Sequence, residues 1–123
     1  MPAGDSPPPA TFEVRRLDRM SIVHVAGEVD LTSVAQLRAT IRSVMDEGQP
    51  HVAVDLSLVT FIDSAGLGAL IGGQRQARTF RGSFTLVAPS APVSRLFELT
   101  SLDRVFQIVD HVNDVPVPSV PAT

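Results

Sequence analysis

Between about residue 11 and residue 112, strand-like and helix-like segments alternate, and each helical segment stands alone between two strands. No other feature restricts the fold as much. Two strands joined by a single helix pair in parallel through a right-handed crossover. "TFEVRRL" (11–17) sets Phe12 and Val14 on one face, and "MSIVHVAG" (20–27) is β-branched and nearly continuous. The link at Asp18 and Arg19 is short enough for a hairpin. From Leu31 the period lengthens: Leu31, Val34, Leu37, Ile41 and Val44 recur at three and four, with Arg38 and Arg42 turned away. Asp30 or Thr32 is the expected cap of this helix, and Gly48 and Pro50 end it.

The same logic covers the rest. "HVAVDLS" (51–57) reads as a buried strand and "SAGLGALIGGQRQARTF" (64–80) as a helix. Gly82 and Ser83 turn the chain into a strand over 84–88. A helix follows over 91–102, with Pro92 near its start, and a last strand over 105–109. The expected architecture is α/β, a mixed sheet of about five strands whose first two form a hairpin and whose later ones are mainly parallel. Three or four helices complete it. Ligands of such sheets meet the carboxyl ends of the strands. Residues 27–32 and 61–66 follow two adjacent strands and are expected to share one edge.

Seven of the ten prolines lie in the tails, so residues 1–10 and 113–123 are expected to be extended or disordered around one domain at 11–112. No apolar run approaches the roughly 18 residues of a membrane span. The first ten residues lack the basic and apolar regions of a secretion signal, which points to a cytoplasmic protein. A net charge of −3 argues against nucleic acid as a partner. The ten basic residues are all arginine, so no P-loop Gly-Lys pair exists. Without cysteine there is no thiolate chemistry.

"FIDSAGLGALIGG" (61–73) holds the candidate site. Asp63 and Ser64 are both favoured helix caps. Gly66, Gly68, Gly72 and Gly73 each cost roughly 1 kcal/mol against alanine in a helix interior. Such a run calls for close approach by something: the sheet beneath, another protein, or a phosphate. A catalytic serine needs a base. The histidines are His24 in mid-strand, His51 at the strand end opposite Ser64, and His111 near the C-terminal tail. "DSAG" does not fit the G-x-S-x-G elbow either. Asp30 and Asp63 alone are a thin ligand set for a metal. A phosphoacceptor needs less: an exposed serine at a helix start with small neighbours, here Ala65, Gly66 and Gly68. The helix start favours the added charge, while Asp63 opposes it.

"VAVDLSLVTFIDSAGLGALIGG" strongly resembles the signature of the STAS family, the domain of bacterial anti-sigma factor antagonists. "VAGEVDLTSVAQLRATI" (25–41) and "SRLFELTSLDRVFQIV" (94–109) match it in register, so the resemblance covers about residues 12–112. It implies a regulatory binding protein rather than an enzyme, with no cofactor and no metal. Members of the family bind serine-kinase anti-sigma factors, which then release their sigma factor. The kinase phosphorylates the serine after the motif aspartate, here Ser64, and a phosphatase reverses this. Asp30, Asp63, Ala65, Gly66, Leu67 and Gly68 are the partner-binding residues so implied. Ala65 stands where many members have serine or threonine. The family's further C-terminal helix is broken here by proline. The same motif also serves other signalling or transport assemblies and nucleotide-responsive modules.

Overall fold

The computed structural model describes residues 9–48 and 50–116. In chain order the elements are β1 (Thr11–Arg16), β2 (Ser21–Val29), α1 (Val34–Asp46), β3 (His51–Ile62), α2 (Ser64–Thr79), β4 (Ser83–Val87), α3 (Ala91–Thr100) and β5 (Gln107–Val109). Single 3-10 turns lie at Leu102–Arg104 and Val112–Asp114. The strands form one sheet in the order β1-β2-β3-β4-β5. β1 runs antiparallel to β2, closed by Leu17 N donating to Met20 O at 2.8 Å. The other neighbours are parallel. The expected mixed sheet with its leading hairpin is therefore present.

Strand order follows chain order, so each crossover steps the same way across the sheet. Right-handed crossovers then place α1, α2 and α3 on one face. The core bears this out. Val23, Val25, Val52, Val54, Phe84 and Leu86 pack against Leu37, Ile41 and Val44 of α1, Leu67 and Leu70 of α2, and Val93 and Phe97 of α3. Burying each large aliphatic side chain contributes about 1.5–3 kcal/mol. The opposite face carries a smaller cluster of Met20, Ile22, Ala53, Val87 and Val115, with Leu17, Val109 and Val112 against it. Among the described residues, the hairpin turn and the segments after β4 and β5 cover that face, and no residue of α1, α2 or α3 joins the cluster.

Several boundaries differ from the periodicity, β2 among them, which runs on to Val29 rather than ending at 27. α1 begins at Val34 with Ser33 as its N-cap residue, not at Leu31, which is 77% exposed. Neither Asp30 nor Thr32 is the cap, because Asp30 uses its carboxylate to close a turn on Thr32. β3 continues to Ile62 rather than stopping near 57, since β2 pairs with it up to Val29. α3 ends at Thr100, where Ser101 takes a left-handed conformation (φ 60°). β5 starts at Gln107 rather than 105, because Phe106 turns inward with ring centroids 5.7 Å from Phe97 and 6.4 Å from Phe84. The proline-rich tails fall mostly outside the described residues. Within them Val115 is 9% exposed.

Candidate functional site

β2 and β3 end together. Val29 is paired with Ile62, and Asp63 N donates to Val29 O at 3.1 Å. The next residues, Asp30 and Asp63, therefore leave the sheet side by side at its carboxyl edge. Two irregularities of register, between His24 and Ala26 and between Gly27 and Glu28, precede this edge. Gly27 has φ 88°, a conformation a side chain resists.

Asp63 is the N-cap residue of α2. Its backbone is extended, and its carboxylate accepts a hydrogen bond from Gly66 N at 3.0 Å. Its carbonyl accepts from Leu67 N at 2.9 Å. Of the two cap candidates in the sequence, aspartate takes the role and the serine is left over. Ser64 is exposed, and no hydrogen bond occupies its hydroxyl among the described residues. Asp30 accepts from Thr32 Oγ1 at 2.6 Å and Thr32 N at 2.9 Å. The Thr32 hydroxyl first, and then its N–H, hold the Asp30 carboxyl below the ordinary aspartate value. Both aspartates are thus engaged with their own turns. Among the described residues, no cluster of three or more metal-ligating side chains forms.

The structure gathers the remaining candidates unevenly. Ala65 and Gly68 are half-buried, whereas Gly66 and Leu67 face the core. A β-carbon at Gly66 would lie 2.5 Å from Ile62 Cγ1, and one at Gly73 would lie 2.7 Å from Phe84 Cε1. Those two glycines let α2 lie on the sheet. Gly68 and Gly72 face elsewhere: the Arg38 guanidinium of α1 lies 3.5 and 3.3 Å from their would-be β-carbons. The chain itself therefore demands glycine at positions 66 and 73, whereas Gly68 and Gly72 meet only the flexible end of the Arg38 side chain. Two of the three histidines engage elsewhere, His24 Nδ1 with Asp55 Oδ2 at 2.9 Å and His51 Nδ1 with Ser83 Oγ at 2.9 Å.

Sequence reasoning missed an apolar rim. Leu31, Leu58 and Phe61 are 77%, 68% and 47% exposed. Leu58 pairs with Ala26 and Phe61 with Glu28, so both belong to the last turns of β3 that lead to Ser64. Strict alternation would have hidden Leu58; the register shifts expose it. The edge thus combines a free hydroxyl, the carboxylates of Glu28, Asp30 and Asp63, and three large apolar side chains. This is the chemistry of a protein-binding surface.

The family model for the MlaB-type STAS domain matches residues 12–110, and the chain belongs to the STAS domain family. Relatives that carry this domain include anti-sigma factor antagonists. It is 28% identical over 103 residues to the anti-sigma-B factor antagonist of Staphylococcus aureus, covering 84% of this chain and 92% of that one. The crystal structure of an anti-sigma factor antagonist from Mycobacterium paratuberculosis matches with TM-score 0.78 and 31% identity, over 94% of this chain and 95% of that one. The antagonist SpoIIAA in its unphosphorylated form shares the fold with TM-score 0.73 at 24% identity, over 85% and 90%.

Proposed function

We propose that the chain is an anti-sigma factor antagonist of the bacterial cytoplasm. It binds a serine-kinase anti-sigma factor through the edge around Ser64 and so frees the sigma factor. Phosphorylation of Ser64 ends the interaction, and a phosphatase restores it. The observation that carries this reading is Ser64 itself. It stands exposed at the start of α2 with its hydroxyl unengaged, while Asp63 does the capping beside it. Asp30, Asp63, Ala65 and Gly68 flank it, and Gly66 and Leu67 fix its position from within.

In the modification, the kinase passes the γ-phosphoryl group of ATP to Ser64 Oγ. The seryl proton goes to a base of the kinase, and ADP leaves. The phosphate adds about −1.5 to −2 charge. In free protein it is solvated and the fold survives. In the complex it loses water beside Glu28, Asp30 and Asp63, and burying that charge among carboxylates costs several kcal/mol. Since 1.4 kcal/mol is tenfold, affinity drops by about a hundredfold or more.

Titration calorimetry against the cognate anti-sigma factor, the ATPase recovered with the protein from native lysate, tests this. Ser64→Ala binds like the unmodified protein and takes no phosphate. Ser64→Glu folds normally and binds poorly. Equal affinity of modified and unmodified protein overturns the switch.

A further inference from the structure

We propose that Arg38 pairs with the phosphate when Ser64 carries one. The inference rests on Ser64 as the acceptor and adds what holds the modified residue. Ser64, Gly68 and Gly72 are spaced by four and lie on one stripe of α2. Arg38 reaches onto that stripe from α1, with Nη2 3.5 Å from the β-carbon position of Gly68 and Nη1 3.3 Å from that of Gly72. Two positions without side chains leave room for the guanidinium between Gly68 and Gly72, with Nη2 on the Gly68 side, one turn from Ser64.

The charges around this stripe leave Arg38 uncommitted. It is exposed and makes no ion pair among the described residues. α2 contains no acidic residue, and α1 contains only Asp46, at its far end. The carboxylates nearest Ser64 are turned to their own partners, Asp63 to Gly66 N and Asp30 to Thr32. β-Carbons four residues apart on a helix are about 5–6 Å from one another. A seryl phosphate and a modest swing of the Arg38 side chain close that gap between them. The planar guanidinium fork then pairs with two phosphate oxygens. Arg42 lines the same cleft of about 270 Å³ between α1 and α2, with Gln76 opposite, but sits one turn further from Ser64. The phosphate is thereby held against the protein while Glu28, Asp30 and Asp63 keep the surrounding edge negative.

The test places phosphoserine at position 64 by genetically encoded incorporation, so it needs no kinase, and failure of a kinase to modify Ser64 would count against the proposed function alone. The phosphate is titrated by phosphorus-31 NMR in the otherwise natural chain and in Arg38→Gln, Arg42→Gln and Arg38→Lys. A cation at the phosphate favours the dianion and lowers its second pKa. Arg38→Gln is expected to raise that value by about half a unit or more. Arg42→Gln, which removes the same charge, moves it less than half as far, and Arg38→Lys restores part of the difference. A rise in Arg38→Gln no larger than in Arg42→Gln overturns the contact, because the effect is then one of net charge. Circular dichroism of each variant confirms that the fold is retained.

Discussion

Gly66 lies directly on Ile62: a β-carbon there would sit 2.5 Å from Ile62 Cγ1 and 2.9 Å from Val29 Cγ1. The last core residues of β2 and β3 thus dictate a glycine two positions after Ser64. Gly68 differs, because its nearest neighbour is the flexible end of Arg38 at 3.5 Å. Gly66→Ala is expected to destabilise by roughly 1–3 kcal/mol through overpacking. Gly68→Ala is expected to leave stability unchanged or raise it by up to about 1 kcal/mol, since alanine is the better helix former. Urea unfolding of both variants decides. Equal effects would mean that the contact with Ile62 does not fix where α2 starts.

Thr85 is fully buried, and its hydroxyl has no hydrogen-bond partner among the described residues. It pairs with Ala53 in the middle of the sheet. A buried hydroxyl without a partner carries a desolvation cost that a methyl group of the same shape does not. Thr85→Val is therefore expected to stabilise by about 1 kcal/mol. For a domain of this size that is a rise of roughly 4 °C in Tm or somewhat more. A lower Tm would show that the hydroxyl is satisfied.

Asp55 bridges β2 and β3, accepting from Ser57 N at 3.0 Å and pairing with His24 at 2.9 Å, just before the first register shift. Burial pushes its carboxyl up, but hydrogen bonds from Ser57 and His24 outweigh it and hold the value below the ordinary 3.8. A depressed folded-state value means that the unfolded chain binds more protons in this range. The contribution is complete above the unfolded value and disappears as pH falls through the folded one. Asp55→Asn is thus expected to be less stable than the natural chain at pH 6. The gap should shrink steadily below about pH 4, near the unfolded aspartate value. Urea midpoints for both proteins from pH 6 to pH 3 measure it. A gap that does not change with pH would exclude ionisation of Asp55 as its source.

How much of this was legible depends on the range of the interaction. The alternation of periods fixes element order, and hence the parallel sheet and the shared edge of Asp30 and Asp63, because it reflects local burial. The choice of Asp63 and Ser64 as a helix start was also local, though not which residue caps. The start of α1 was misplaced because Leu31 continues the apolar period while Asp30 holds it in a turn on Thr32. The length of β3 and the exposure of Leu58 depend on register shifts against β2, which no single strand encodes. Arg38 read as an outward-facing residue of α1. Its target, the stripe from Gly68 to Gly72, is supplied by another helix thirty or more positions along the chain.

The exposed apolar rim separates binding from folding. Leu58 and Phe61 are 68% and 47% exposed, so truncating either removes little core packing. Such changes away from the core usually alter stability by less than about 0.5 kcal/mol. At a partner surface the balance reverses. A large apolar side chain near the centre of an interface is worth about 1–2 kcal/mol or more on truncation, while carboxylates at the rim mostly steer the encounter. Leu58→Ser and Phe61→Ser are therefore expected to unfold with the natural chain and to bind the anti-sigma factor roughly tenfold more weakly each. The loss should appear in the dissociation rate rather than the association rate. Glu28→Gln, by contrast, should change mainly the association rate and its dependence on salt. Surface plasmon resonance at two ionic strengths separates the two effects. If both serine variants bind with undiminished affinity, the partner does not reach across β3, and the contact is confined to Ser64 and the first turn of α2.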